Sequence, residues 1–283
     1  MQTQRSLWRD ATLLFLLFLP ISLLATTEKV SKQYDLLPSK TYFIDLEIDA
    51  AEIEVMRGEA HQLRLELRFT KDAFSYDIDF DEKAGEMRIY FDKEDWVEED
   101  FDGTIAEFNL YLPHNVELRL NSSIKAGEVA FELGGMKIAK FELKTWAGEV
   151  TVGFEKPNKI QMKTFHLNTK VGETRLRDLG NARFEYADIN SGIGKLDIDF
   201  RGEFVSETTA EIDLDIGETD IYLPEEIGTR IVVKKFLFLS DVNISGDYRK
   251  SGRYYVSENY DNASRKFDLR INPGIGALHV SSR

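Results

Sequence analysis

The stretch Ile193-Gly194-Lys195-Leu196-Asp197-Ile198-Asp199-Phe200 has a pattern that recurs along the chain. An apolar residue precedes a glycine, a mostly polar residue follows it, and β-forming side chains then alternate with mostly polar ones. The equivalent positions are Ala51, Gly127, Gly148, Gly172, Gly194, Gly217 and Gly276. From Gly127 to Gly217 the steps are 21, 24, 22 and 23 residues. A repeat of this length is typical of a solenoid.

Both sides of each glycine show the period-two pattern of a β-strand. The second and fourth residues after Gly194 are Leu196 and Ile198, and apolar residues also stand seven and five positions before most of the glycines. Because successive side chains of a strand point to opposite faces, we expect these residues inside and Asp197 and Asp199 outside. The glycine suits a sharp bend or a positive φ. Each unit is therefore predicted to be strand, glycine corner, strand.

Two longer intervals interrupt the repeat, with a step of 76 residues from Ala51 to Gly127 and one of 59 residues from Gly217 to Gly276. Further alternating strands fill both, and we expect each element to stack on its neighbour in sequence. In-register stacking would place Arg175 beside Asp197 and Arg177 beside Asp199. The sequence predicts an all-β fold, a single-domain parallel β-solenoid, β-helix-like, with ~22-residue repeats over residues 40–283.

The composition narrows the function classes. The 283 residues include no cysteine, which excludes disulfides, thiolate metal sites, a cysteine nucleophile and a lipid-modified cysteine. The formal net charge of −14 disfavours nucleic acid and anionic lipid as partners.

Residues 1–25 have the features of an export signal. Arg5 and Arg9 precede an apolar run from Ala11 to Ala25, which is shorter than a comfortable membrane span. We predict a signal peptide, with an uncleaved anchor as the alternative, followed by a polar linker over residues 26–39. Under either interpretation we expect residues 40–283 to be exported to the periplasm, the cell surface or the extracellular space. Only an uncleaved N-terminal segment would contact the membrane.

The succession of glycine units, the two stretches Tyr111-Leu112-Pro113 and Tyr222-Leu223-Pro224, and the terminal Gly274-Ile275-Gly276-Ala277-Leu278-His279-Val280 resemble a known family. They are similar to the toast-rack β-strand-repeat family of bacterial putative adhesins, domains of unknown function. The C-terminal part resembles the domain of cell-envelope-stress (cell-wall-active antibiotic response) proteins. The resemblance covers most of residues 40–283 and implies an extracytoplasmic β-solenoid without known catalytic residues. The chain lacks the several transmembrane helices of the stress proteins.

Candidate catalytic and metal-binding residues are few. Asp77, Asp79 and Asp81 begin like a calcium loop, but Glu82 and Arg88 replace the required Gly and Glu. An acidic cluster between Asp92 and Asp102 is expected to be a solvated loop. The four histidines share no ligand spacing; they are His61, His114, His166 and His279. We therefore expect no catalytic residue, cofactor or metal.

One alternative is a polysaccharide hydrolase or lyase on a β-helix, since paired carboxylates serve glycoside cleavage. Its candidate residues are Asp197, Asp199, Asp213, Asp215 and Asp220. Two carboxylates facing each other across a cleft would favour this alternative.

A partner-binding site is predicted in residues 248–255, which lie in the second long interval. This segment is a local cluster of basic and aromatic residues in an acidic chain, and Tyr and Arg are enriched at interfaces. The candidate residues are Tyr248, Arg249, Lys250, Arg253, Tyr254 and Tyr255. An acidic glycan or an acidic protein segment would complement them. The structural alternative, compatible with this, is a hairpin that turns at residues 250–253 and whose tyrosines cover the end of the stack.

The first functional hypothesis is a non-enzymatic exported β-solenoid that serves as an adhesin-like interaction surface or envelope scaffold. Its partner would be an envelope protein or a glycan. A second is the carbohydrate-active enzyme, and a third is an envelope-stress regulator that docks on a membrane sensor.

Overall fold

The computed structural model describes residues 26–94, 104–234 and 240–282. The fold is all-β and consists of one large, mostly parallel sheet, with one short 3₁₀ turn at Leu179–Ala182. The strands are β1 (Thr27–Asp35), β2 (Thr41–Arg57), β3 (Gln62–Thr70), β4 (Phe74–Asp81), β5 (Glu86–Lys93), β6 (Ala106–Leu112), β7 (Glu117–Glu132), β8 (Lys137–Gly153), β9 (Met162–Arg177), β10 (Phe184–Asp199), β11 (Glu207–Leu223), β12 (Gly228–Val233), β13 (Ser240–Ser245), β14 (Tyr248–Ser251), β15 (Tyr254–Ser257), β16 (Lys266–Asn272) and β17 (Ile275–Ser282).

A regular stack of long parallel strands forms the centre of the molecule. β2 pairs with β7, and β7 to β11 then pair in chain order, with the predicted glycine positions directly opposite one another. Gly194 has a φ of 146°, and a Cβ there would lie 1.8 Å from the carbonyl oxygen of Gly172. Both the backbone conformation and the close approach of the next strand therefore require glycine at the corner.

The corner divides each long strand into two halves, so the stack has a first wall before the glycines and a second wall after them. Their inward faces form one hydrophobic core. Phe131 of the second wall meets Phe141 of the first, with ring centroids 5.4 Å apart. Ile198 is fully buried, whereas Asp197 and Asp199 are partly exposed. The inside and outside assignment made from the sequence is confirmed.

The expectation that each element stacks on its sequence neighbour is wrong at both long intervals. β5 and β6 lie on the outer edge of β2, so β7 reaches the other edge of β2 directly. At the C-terminal end β16 and β17 pair with β11, and β12 and β13 pair on their far side. β16 and β17 together match both halves of β11 and place Gly276 opposite Gly217, which the six-residue β12 cannot do.

The predicted linker over residues 26–39 is wrong over most of its length. Residues 27–35 form β1, which pairs with β3 over nine residues in antiparallel register. β1 is an edge strand that buries little, and Val30 and Tyr34 pack against the core while most other side chains are exposed. The alternation of apolar and polar residues that predicts a strand is therefore weak in residues 27–35. The expected signal segment, residues 1–25, lies outside the described residues.

Candidate functional site

The predicted binding segment forms a hairpin at the C-terminal end of the stack. β14 and β15 pair in antiparallel register around a turn at Gly252 and Arg253, and β15 also pairs with β12. The predicted hairpin is therefore confirmed. Tyr248 and Tyr255 pack against the core and cover the end of the stack, as that interpretation required. Arg249, Lys250 and Arg253 are exposed.

A cleft of about 250 Å³ is formed by this hairpin together with the paired strands β12, β16 and β11. We call it the hairpin cleft; it is lined by Glu211, Arg230, Val232, Lys234, Arg253, Tyr254, Asp268, Leu269 and Arg270. The structure thus brings only two of the six predicted residues, Arg253 and Tyr254, into the same cavity. It adds three cations that sequence reasoning missed, because they come from β12, β16 and the residue after β12.

Arg230 is the most firmly held cation of the hairpin cleft. Its guanidinium donates two hydrogen bonds to the Asp268 carboxylate, the Nε to Oδ1 bond measuring 2.9 Å. It also lies 5.5 Å from the ring centre of Tyr254 and 5.4 Å from that of Tyr260. The hydrogen bond with Asp268 raises the pKa of Arg230. Two rings and one carboxylate therefore fix the position of this charge.

The two carboxylates of the hairpin cleft are both engaged by arginines. Asp268 binds Arg230, and Glu211 accepts a 2.5 Å hydrogen bond from Arg270. Arg253 lies 5.0 Å from the Tyr254 ring centre, and within the described part of the chain neither Arg253 nor Lys234 has a carboxylate partner. The cavity therefore offers two uncompensated cations and a tyrosine ring, which suits a ligand that combines an anionic group with a flat apolar face.

The aspartates proposed for glycoside cleavage do not face each other across a cleft. Asp197 and Asp220 lie side by side on neighbouring strands of the second wall. Lys195 Nζ sits between them, 3.4 Å from Asp197 and 3.3 Å from Asp220. Asp213 accepts a hydrogen bond from Asn272. Asp215 is exposed at the corner. This arrangement is that of a solvated strand face.

One predicted contact between neighbouring strands is present and one is wrong. Arg175 lies opposite Asp197, with 3.9 Å between Nε and Oδ2. Arg177 instead bonds Glu132 two strands away, because the intervening position is Gly153 and has no side chain. Asp199 is held by Arg201, whose Nε donates at 2.9 Å.

The three aspartates of the rejected calcium motif are exposed on one face of β4, in agreement with a plain surface role. Of the acidic cluster, Asp92 and Glu94 are exposed, and the remainder lies outside the described residues. Of the four histidines, His166 pairs with Asp188 at 3.2 Å, and His114 Nδ1 lies 2.9 Å from the Gly58 carbonyl oxygen.

Sequence reasoning also missed an exposed apolar row along the corner. The residues that precede the last glycines stack in register, and we call Val171, Ile193, Ile216 and Ile275 the corner row. Each is about half exposed, and Trp146 lies next to the row with 52% exposure. The apolar residue before each glycine is visible in the repeat, but its outward position depends on the geometry of the bend.

Comparison with protein families assigns the chain in two segments. Residues 24–164 match the family described as the N-terminal domain of toast_rack, DUF2154. Residues 170–280 match the family described as cell wall-active antibiotics response LiaF, C-terminal. The chain is a toast-rack protein with a LiaF-like C-terminal region. The boundary between the two matches falls inside β9, so both segments of this toast-rack chain share one continuous sheet.

Comparison with solved structures also finds matches among bacterial proteins. A putative cell adhesion protein from Clostridium sporogenes is 15% identical, with a TM-score of 0.48, over 90% of the toast-rack chain and 100% of its own. A putative adhesin from Bacteroides fragilis is 8% identical, with a TM-score of 0.40, over 90% and 98%. Identities this low do not transfer function. No curated protein matches the sequence.

None of the described segments contains a helix with the length and hydropathy of a membrane span.

Proposed function

We propose that this toast-rack protein is an exported, non-enzymatic envelope domain that binds an anionic partner in the hairpin cleft. The body would be a β-solenoid with ~22-residue repeats that serves as an adhesin-like interaction surface or scaffold. The in-register glycine corners support the solenoid assignment. The family match to a cell-wall response domain supports an envelope setting.

The observation that carries the proposal is the charge of the hairpin cleft. In a chain with a net charge of −14, this cavity is lined by four cations and two carboxylates. Since both carboxylates are paired with arginines, Arg253 and Lys234 supply the attraction for a ligand, and Tyr254 supplies an apolar face. An acidic glycan combines a carboxylate with a flat sugar ring, and an acidic protein segment supplies the same charge.

The paired carboxylates also support a non-enzymatic role. Glycoside cleavage needs two carboxylates that flank the scissile bond from opposite sides. Asp268 and Glu211 are each bonded to an arginine, and Asp197 and Asp220 share Lys195. Each pair lies on neighbouring strands and is engaged by cations, so neither forms the facing pair of carboxylates that this reaction needs.

The test is retention on an immobilised acidic glycan, for which polygalacturonate is a suitable probe and neutral dextran the reference matrix. The double variant Arg253→Ser with Lys234→Ser should lose retention and keep its melting temperature. The matched control is Arg249→Ser with Lys250→Ser, which removes two charges from the same hairpin but none from the cleft lining. Equal losses from both double variants would reduce the effect to bulk charge and contradict the proposed site.

A second candidate function is an envelope-stress component that docks on a membrane sensor. The LiaF-like match over residues 170–280 favours it, and this segment contains the whole corner row. We expect the chain purified from its native membranes to retain an integral membrane protein, and Ile193→Ser with Ile216→Ser to release it. Retention of the same protein by that variant would argue against docking through the corner row.

A further inference from the structure

We propose that Glu218, Asp220 and His279 form a binding site for a divalent transition-metal ion on the outer face of the second wall. The site is separate from the hairpin cleft and does not depend on the proposed function.

The strand register brings the three side chains together. Glu218 and Asp220 are two residues apart on β11, so both point to the same outer face. β17 pairs with β11 in parallel and places His279 directly opposite Asp220. One ligand atom from each residue lies within 4.8 Å of the others. Ligand atoms on one tetrahedral zinc ion are about 3.3 Å apart, given bonds of about 2.0–2.1 Å. Side-chain rotations that move the ligand atoms by roughly 1 Å would therefore bring them to this spacing.

The donor set selects the class of ion. An imidazole nitrogen with two carboxylate oxygens suits Zn²⁺, Co²⁺, Ni²⁺ and Cu²⁺, whereas Ca²⁺ and Mg²⁺ prefer oxygen ligands alone. Three protein ligands would leave a coordination position for water. The imidazole also distinguishes this site from the acidic clusters elsewhere on the chain.

The surroundings of His279 leave its ring free to bind a metal. His279 forms no ion pair within the described residues, and its neighbour on β13 is Asn243. His166 occupies a comparable outward position between Glu142 and Asp188, but Asp188 holds it at 3.2 Å, and among the described residues only Glu218, Asp220 and His279 bring three ligand atoms within 4.8 Å. The two histidines therefore form a natural pair of test and control positions.

Lys195 is the group that competes with the metal. Its ammonium lies 3.3 Å from Asp220 and 3.4 Å from Asp197, and the Asp220 side chain is only 20% exposed. A bound ion would displace Lys195 from Asp220, and Asp197 would still balance the lysine charge. Removing the ammonium should therefore strengthen metal binding.

The experiment is a titration of the untagged chain with Co²⁺, followed by its visible absorption, and with Zn²⁺ by calorimetry. We expect one site per chain. His279→Gln and Asp220→Asn should each weaken binding at least tenfold, Lys195→Met should strengthen it severalfold, and His166→Gln should leave it unchanged. Circular dichroism confirms that each variant is folded.

Two results would overturn the proposal. One is binding by His279→Gln and Asp220→Asn with the affinity of the unaltered chain, which would mean that the acidic surface collects the ion without a defined site. The other is the absence of saturable binding in both the unaltered chain and Lys195→Met at millimolar metal.

Discussion

The two ends of the stack are both covered, but by side chains of different character. At the N-terminal end, β3 to β6 extend from the outer edge of β2, and β1 adds to β3. At the C-terminal end, β12 and β13 extend from β16 and β17, and the β14–β15 hairpin adds to β12. Both additions cover an edge that would otherwise offer unpaired backbone groups.

The N-terminal end is closed by rings that face inward. Phe91 packs between Phe69 and Phe74, at centroid distances of 5.6 Å and 5.4 Å, and is fully buried. At the C-terminal end, Tyr254 faces the hairpin cleft beside Arg230 and Arg253. An arginine–tyrosine contact is also present at the N-terminal end, where Arg64 lies 4.0 Å from the Tyr111 ring centre, but Arg64 pairs with Glu66. The ends therefore differ in charge compensation, since Arg253 has no carboxylate partner within the described residues, and the proposed binding role of the C-terminal end rests on this difference.

The largest expected contrast comes from removing one ring at each end. Phe91→Ala should destabilise the chain by about 3–5 kcal/mol, because it empties a fully buried site that two other rings line. Tyr254→Ala removes a partly exposed ring and should cost about 1 kcal/mol or less. Urea unfolding followed by tryptophan fluorescence measures both.

Similar losses from Phe91→Ala and Tyr254→Ala would contradict the distinction between a closing end and a binding end. In that case Tyr254 would also be part of the closure, and the hairpin cleft would be a by-product of packing.

The regular stack could be predicted from the sequence because its information is local. The corner glycine and the alternation around it repeat in every unit, so Ile198 and Asp197 could be placed on opposite faces without knowing any partner strand. The order of strands at the two ends could not be predicted in this way. It depends on which edge is free and on strand length, as when β16 rather than β12 pairs with β11.

The candidate site was predictable only in part for the same reason. The hairpin itself is local, so Arg253 and Tyr254 were found from sequence. Arg230 and Arg270 join them through pairing of β12, β16 and β11, which are separated along the chain. The pairing of Asp220 with His279 could have been predicted from the sequence. Asp220 follows Gly217 by three residues and His279 follows Gly276 by three, and the two glycines lie opposite each other in the sheet.

A smaller difference between the two ends is expected in how their tyrosines affect stability at alkaline pH. Burial raises the pKa of Tyr248, at the C-terminal end, to about 12. Because this folded-state pKa lies above the unfolded value, the stability from the neutral phenol is complete below about pH 10 and is lost as pH rises through about 12. Between pH 10 and 12 the stability of Tyr248→Phe should therefore rise relative to that of the unaltered chain. The relative gain in the free energy of unfolding should be roughly 1 kcal/mol at pH 11.

Tyr34 provides the matching test at the N-terminal end. Burial also raises the pKa of Tyr34, but Tyr34 is less deeply buried than Tyr248. Tyr34→Phe should therefore also become more stable relative to the unaltered chain at alkaline pH, but by a smaller difference. The measurement is the urea midpoint of each variant at pH 8 and pH 11. A gap for Tyr34→Phe larger than that for Tyr248→Phe would reverse the expected order.

The smallest contrast concerns one bidentate ion pair at each end. Arg68 binds Glu107 on the neighbouring strand, and Arg230 binds Asp268 in the same manner. The arginine side chains are 41% and 40% exposed, so the ion pairs should contribute similarly. Only Arg230 also stacks on two tyrosine rings.

Arg230→Met should therefore cost about 0.5–1 kcal/mol, and Arg68→Met should cost less. The cation–π contribution explains the difference, because methionine keeps most of the apolar stem in both variants. Urea midpoints at low and at high salt separate the two terms, since salt screens the ion pair more than the ring contacts. If the excess loss at Arg230 disappears in Tyr254→Phe with Tyr260→Phe, whose rings remain, the phenol hydroxyls rather than the ring faces hold the guanidinium. Persistence of the excess in that background assigns it to stacking of Arg230 on the faces of the Tyr254 and Tyr260 rings.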